Sequence, residues 1–222
     1  RSFYMPILPT LVDRLEKLWH LQNDDEILKT ARTDQVLTVH VLRVLNAGQR
    51  SEGNPFSSLK DAEQRIAPEH LTGIIRSKAA TADRPHQPDT VALLQQHALS
   101  SALLAEQIAT QLGEDPQLAY TCALLHNVGK VALLQLLDDK NTKDNNINTQ
   151  IKKLHQNTGA LLARRWNLHS AVYATIRHYD KPDAAEENRL MVQIIHLSHS
   201  MVQDPNCLDH CREHCPDLDF ER

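Results

Sequence analysis

The chain has 222 residues, 41% apolar and 23% charged, and a formal charge of −4. That is enough for one large domain with a substantial core. The acidic balance, with no Lys/Arg run, excludes nucleic-acid binding by general electrostatics, and no apolar stretch reaches membrane-spanning length.

Aromatics make up only 4%, so the core rests on Leu, Ile, Val and Ala, which suits helices. Pro9-Thr10 marks a helix start, followed by the stripe Leu11, Val12, Leu15, Leu18 and Trp19. Asp24 and Asp25 precede a short stripe of Ile27, Leu28 and Ala31. Asp34 caps the next predicted helix, with Leu37, Val41, Val44 and Leu45 inward and Asn46-Ala47-Gly48 as its stop. Ser58-Leu59-Lys60-Asp61 has capping-box spacing, and Leu71, Ile74, Ile75 and Ala79 follow on another helix.

Residues 81–90 hold Pro85 and Pro88 among polar residues and read as a linker between two helical lobes. A long helix follows to Leu112, with Val91, Leu94, Ala98, Ala102, Ala105 and Ala109 in register and Gly113 as its stop. Asp115-Pro116 restarts a helix that carries His126 and Asn127 at its end. The polar, Asn-rich segment 138–149 reads as a loop. Residues 151–166 are helical, with Leu154, Leu161, Leu162 and Trp166 in register. Ser170 caps a helix with Tyr173 and Ile176, and Asp183 opens a last long helix with Leu190, Ile194, Leu197 and Met201 inward. The expected fold is all-α: a two-lobed multi-helix domain over residues 6–202, with lobes at 6–80 and 91–202 and a Cys/His-containing tail at 203–222.

The stretch His126-Asn127-Val128-Gly129-Lys130 carries the most chemistry. It reads as the metal-site motif His-Asp-x-Gly-Lys with its carboxylate replaced by an amide. A His followed by Asp offers one cation a nitrogen and an anionic oxygen. Asn127 keeps the shape and loses the charge. Lys130 stands one turn after His126, so both can face one cavity. Two readings stay open: a relic pocket that binds an anionic small ligand through Lys130, or a hydrogen-bonded polar cluster that holds helices in register.

In the tail, Cys207, Cys211 and Cys215 are spaced by four, as are His210 and His214. The alternatives are a metal clamp or an exposed terminal helix. Four cysteines in a chain of this length make no disulfide framework and fit a reducing, cytoplasmic compartment. No signal peptide is visible, and the start at Arg1 leads us to expect a piece of a longer protein.

Taken together, the segments resemble a known family, the HD-related output domain, HDOD. The resemblance runs from Pro6 to Val202. It rests on Pro6-Ile7-Leu8-Pro9-Thr10, on Asp34-Gln35-Val36-Leu37 through Leu42-Arg43-Val44-Leu45-Asn46-Ala47, and on Ser57-Ser58-Leu59-Lys60-Asp61-Ala62. The second lobe adds the His97 helix, Leu124-Leu125-His126-Asn127-Val128-Gly129-Lys130, the Gly159 and Trp166 segment, and His178 before Pro182. The family is similar in fold to HD-type metal phosphohydrolases, whose ligands are His, His-Asp and a distant Asp. The resemblance maps the first two imidazoles onto His97 and His126, puts Asn127 in place of the Asp, and places the distant Asp near Ser198-His199, where no carboxylate stands.

It implies a relic pocket of His97, His126, Asn127, Lys130, His155, His178 and His199. It implies no catalytic residue and no cofactor, with Zn²⁺ or Ni²⁺ as the only cations His97, His126 and His178 would hold. The expected role is a non-catalytic output module that signals through a protein partner, another domain of the full-length chain or a small ligand. A divergent phosphohydrolase is the alternative.

Overall fold

The computed structural model describes residues 5–48, 55–138 and 144–218. Every regular element among them is helical, and none is long and apolar enough to cross a membrane. Five helices form the first lobe: α1 (Pro9–His20), α2 (Asp24–Arg32), α3 (Gln35–Ala47), α4 (Leu59–Arg65) and α5 (Pro68–Ala80). The second lobe contains α6 (Pro88–Leu112), α7 (Pro116–Leu125), α8 (Val128–Asp138), α9 (Asp144–Arg165), α10 (Ser170–His178) and α11 (Arg189–Gln203), and α12 (Leu208–His214) packs on α11. A 3₁₀ turn, Pro182–Ala184, joins α10 to α11.

Local chemistry sets most helix ends. The Asp34 carboxylate accepts from Leu37 N, Ser58 Oγ from Asp61 N, and Asp115 Oδ1 from the backbone of Gln117 and Leu118. Gly113 ends α6 at φ +76°, a left-handed cap that favours glycine. The alanines of α6 (Ala98, Ala102, Ala105 and Ala109) are fully buried, and small side chains there let α7 and α11 lie close.

One continuous apolar core runs through both lobes, and polar contacts tie them across it. The Tyr120 hydroxyl donates to the Arg32 carbonyl, Gln95 Nε2 to the Asp34 carboxylate, and Asn167 Nδ2 to the Asn46 carbonyl. The segment between α5 and α6 is held in place: Ile7 N donates to Asp83 O at 3.1 Å, and the helix after it begins at Pro88.

Several boundaries differ from the sequence expectation. Residues 144–149 are the first turns of α9, not loop; residues 139–143 lie outside the described residues. The inward face of α9 is Ile147, Ile151, His155, Gly159 and Leu162, whereas Leu154 and Leu161 face water. The four-residue spacing of that face is helical, and Asn148 stays exposed outside it. His169, not Ser170, caps α10, its Nδ1 accepting from Ala171 N. The final long helix opens at Arg189 after a left-handed Asn188, because Pro182 to Ala184 closes its own 3₁₀ turn first. The tail is docked. Cys211 and Cys215 are fully buried and Leu218 nearly so, so the cysteine stripe is an apolar face.

Candidate functional site

Four helices deliver the histidines. His97 comes from the middle of α6 and His199 from α11, hydrogen-bonded to each other at 2.8 Å between Nε2 and Nδ1. His126 ends α7 in the αR conformation, and Asn127 turns the chain directly into α8. The ring centres of His97, His126 and His199 lie 4.8 to 5.5 Å apart. One nitrogen from each falls within 4.8 Å of the other two.

Tyr179 occupies the centre of the cluster and is fully buried. Its ring stands 4.8 Å from His126, 5.0 Å from His199 and 6.0 Å from His155. His155 Nδ1 donates to the carbonyls of Ile151 and Lys152, so its Nε2 accepts the Tyr179 hydroxyl proton at 2.8 Å. Lys130 reaches the same space, its Nζ 5.9 Å from the Tyr179 ring centre.

The sequence expectation placed His178 here, and that is corrected. His178 is half-exposed on the α10 surface, and its electrostatic neighbours are Arg177 and Glu186. A helix turns about 100° per residue, so one residue on, Tyr179 takes the inward position. The signal was present: Val172, Ile176 and Tyr179 follow an i, i+4, i+7 stripe. His97, His126, Asn127, Lys130, His155 and His199 do converge on one region.

Two glycines make the close packing there. A Cβ on Gly129 would lie 2.0 Å from the His155 carbonyl oxygen, and one on Gly159 2.7 Å from Ile176 Cγ2. Gly129 and Gly159 face each other where α8 meets α9, and this contact sets Lys130 and His155 beside the cluster. Gly129 in the His-Asn-Val-Gly-Lys motif is therefore explained by helix approach and not by chemistry.

Burial holds the imidazoles neutral. It is the main cause that depresses His126 far below the usual histidine range and brings His199 down to about 3, with the neighbouring imidazoles and Lys130 adding to it. His97 and His155 are lowered for the same reason. Burial also lowers Lys130, partly offset by Asp180, and raises the Tyr179 phenol well above its ordinary value. Neutral imidazoles keep their lone pairs. His126 Nδ1 donates to Ala123 O at 2.5 Å, which leaves Nε2 as the lone-pair nitrogen, and that buried atom has no hydrogen-bond partner among the described residues.

Asn127 is fully buried, with Nδ2 donating to Leu94 O at 3.1 Å and Oδ1 without a hydrogen-bond partner among the described residues. The amide is thus used as a donor, which an aspartate carboxylate cannot be. The carboxylate next to this region is Asp180, 45% exposed, with Oδ2 3.9 Å from His155 Nε2 and outside the three-imidazole group. The donor set does not fit Mg²⁺ or Mn²⁺, which rely on anionic oxygens. At an effective dielectric of 20, one missing unit charge about 4 Å from a divalent ion removes about 8 kcal/mol of attraction. The same nitrogens fit Zn²⁺ or Ni²⁺, and either ion would have to displace the proton shared by His97 and His199.

Comparison with known proteins agrees with this architecture. The profile of the HDOD domain matches residues 5–182. An uncharacterized protein of Treponema pallidum is 23% identical over 218 residues; the alignment covers 90% of this chain and 42% of that protein, so the chain spans less than half its relative's length. The crystal structure of the MmoQ response regulator from Methylococcus capsulatus superposes with a TM-score of 0.76 at 17% identity, over 97% of this chain and 93% of that one. A candidate phosphohydrolase from Shewanella amazonensis superposes with a TM-score of 0.50 at 19% identity, over 98% and 87%. At these identities the two structures speak for the fold alone.

Proposed function

The chain belongs to the HDOD domain family, and we propose that it is a non-catalytic output module, one that relays a signal by binding a protein partner, another domain of the full-length chain or a small anionic ligand. The observation that carries this is Asn127. At the position where a hydrolytic HD site needs an anionic oxygen, the buried amide donates to the Leu94 carbonyl. The fold of a response regulator over nearly the whole chain is in keeping with a relay role. The small-ligand form of the reading rests on Lys130, the cation beside four imidazoles.

The test is turnover. Metal-replete protein is incubated with phosphomonoesters, nucleotides and cyclic dinucleotides, and no product is expected above the His126→Ala variant. Product formed by the wild type and abolished in that variant overturns the reading. A thermal-shift screen with nucleotides addresses the small ligand: stabilisation is expected to vanish in Lys130→Ala, and an unchanged response in that variant removes Lys130 from the binding site.

A second reading is favoured by the geometry of His97, His126 and His199, whose donor atoms lie within one ion's reach. It is a divergent phosphohydrolase on a Zn²⁺- or Ni²⁺-type cation held by imidazoles alone. Those three residues would hold the ion, which would supply Lewis acidity and a more acidic bound water. Elemental analysis of tag-free protein tests it: less than stoichiometric metal ends this reading, and metal retained in full by His97→Gln/His199→Gln protein lies elsewhere and ends it too.

A further inference from the structure

A second histidine cluster lies where α12 packs on α11, beyond the residues matched by the family profile. His210 and His214 stand one turn apart with ring centres 4.7 Å apart. Glu213 adds a carboxylate, and one donor atom from each of these three falls within 4.8 Å of the others. They line the wet face of α12 because Cys211 and Cys215 take the buried face.

The independent observation comes from α11. His196 is only 6% exposed, and its Nδ1 donates to the Tyr179 carbonyl at 2.7 Å. Its lone pair therefore sits on Nε2, a buried atom without a hydrogen-bond partner among the described residues. The ring lies 6.4 Å from that of His210 and 6.3 Å from that of His214. Asp183 accepts from His214 Nδ1 at 2.9 Å, which fixes that ring and leaves its Nε2 free to bind. A carboxylate behind a histidine is the usual support of a metal-bound imidazole.

We propose that His196, His210, Glu213 and His214 form a binding site for a borderline divalent cation of the Zn²⁺ class. Three imidazole nitrogens and one carboxylate are a donor set for tetrahedral Zn²⁺. Two imidazoles sharing such an ion, with Zn–N bonds of about 2.0 Å, have ring centres about 5 Å apart. His210 and His214 already meet this. The His210 distance closes by about 1 Å through rotation of its exposed side chain, and the His214 distance through a pivot of the ring about its Asp183 hydrogen bond. The thiols of Cys211 and Cys215 stay outside the set because they lie on the buried face of α12, against Cys207 Sγ and the Gln193 carbonyl. A bound ion clamps the seven-residue α12 to α11 and acts on His196, which touches the Tyr179 backbone beside the inner cluster.

The experiment uses the tag-free 222-residue chain, stripped with a chelator and titrated with Zn²⁺ by calorimetry, with metal counted after dialysis. Wild type is expected to hold one equivalent more than His210→Gln/His214→Gln, or to bind the outer ion at least tenfold more tightly. Both substitutions are at the surface, so the variant keeps its fold. Equal stoichiometry and affinity in the two proteins overturn the proposal. Long-range ¹H–¹⁵N spectra follow His196 without mutation. Its Nε2 resonance is expected to move on Zn²⁺ addition to wild type and to stay in the double variant. A stationary His196 resonance would mean a surface two-histidine chelate only, and would overturn the site as drawn.

Discussion

The imidazoles around Tyr179 and those on α12 are the same side chain in opposite surroundings. The inner set is enclosed by Tyr179, Lys130 and the α8–α9 contact, meets no carboxylate within its three-nitrogen group, and is held neutral by burial. The outer set has water, Glu213 and Asp183 at hand. The difference lies in where negative charge is available. A cation entering the inner site leaves its charge uncompensated, whereas one at the outer site meets an anion directly and a second behind a ligand. The side-chain type does not distinguish the two. Placement of carboxylates in space does.

The comparison can be broken most severely at its packing. Gly129→Ala puts a methyl group into the His155 carbonyl, a backbone atom that cannot rotate away. Separation of α8 from α9 is expected to cost about 3 kcal/mol, or the fold itself. Denaturant titration measures this; a loss below 0.5 kcal/mol, as order-of-magnitude noise for a surface change, would mean the contact has slack. The outer cluster should be untouched by the same substitution if the protein still folds.

Asn127→Asp sharpens the contrast by restoring the missing charge. The carboxylate loses the donor to Leu94 O and faces that carbonyl instead. Metal-free protein is expected to lose about 2–3 kcal/mol. Mn²⁺ should then recover part of the loss in the variant and leave wild type unmoved. A Mn²⁺ response of equal size in wild type would contradict the account of the donor set.

How much of this was legible beforehand follows the range of the interaction. Asp34, Ser58, Gly113 and Asp115 announce helix ends because a cap is chemistry within four residues. His97, His126, Lys130 and His155 stand out by residue type, but their convergence depends on four helices. Tyr179 and not its neighbour His178 enters the cluster, because the apolar phase of α10 and not ligand chemistry decides which side chain is buried. Gly129 and Gly159 were visible as letters, but a close approach between α8 and α9 has no local sign. The cysteines at 207, 211 and 215 suggested ligands, whereas at four-residue spacing beside α11 they act as a hydrophobic stripe.

A pH titration separates the two environments. In the folded protein His199 protonates at about 3, against about 6.5 when unfolded. Between those values the unfolded chain binds the extra proton, so stability is full above pH 6.5 and falls as the pH drops. At pH 5 this one group removes about 2 kcal/mol relative to pH 8, by that linkage. Chemical denaturation of metal-free protein at both pH values measures the loss, and His199→Gln should reduce it. An unchanged pH slope in that variant would show that the burial of His199 is not what sets acid stability.

The smallest expected effect tests the polar centre of the inner cluster. Tyr179→Phe keeps the ring that touches His126 and His199 and removes only the hydroxyl that donates to His155 Nε2. A buried nitrogen acceptor is left unpaired, which costs about 1–2 kcal/mol. The consequence extends to titration. Without the phenol's proton the His155 Nε2 lone pair is free to take one from water, with the Asp180 carboxylate 3.9 Å away to favour the cation. The His155 pKa, followed by NMR, is therefore expected to rise in the variant while that of His199 stays low. Should His155 titrate as before, the hydroxyl contributes shape and not hydrogen bonding, and the inner cluster is held together by ring packing alone.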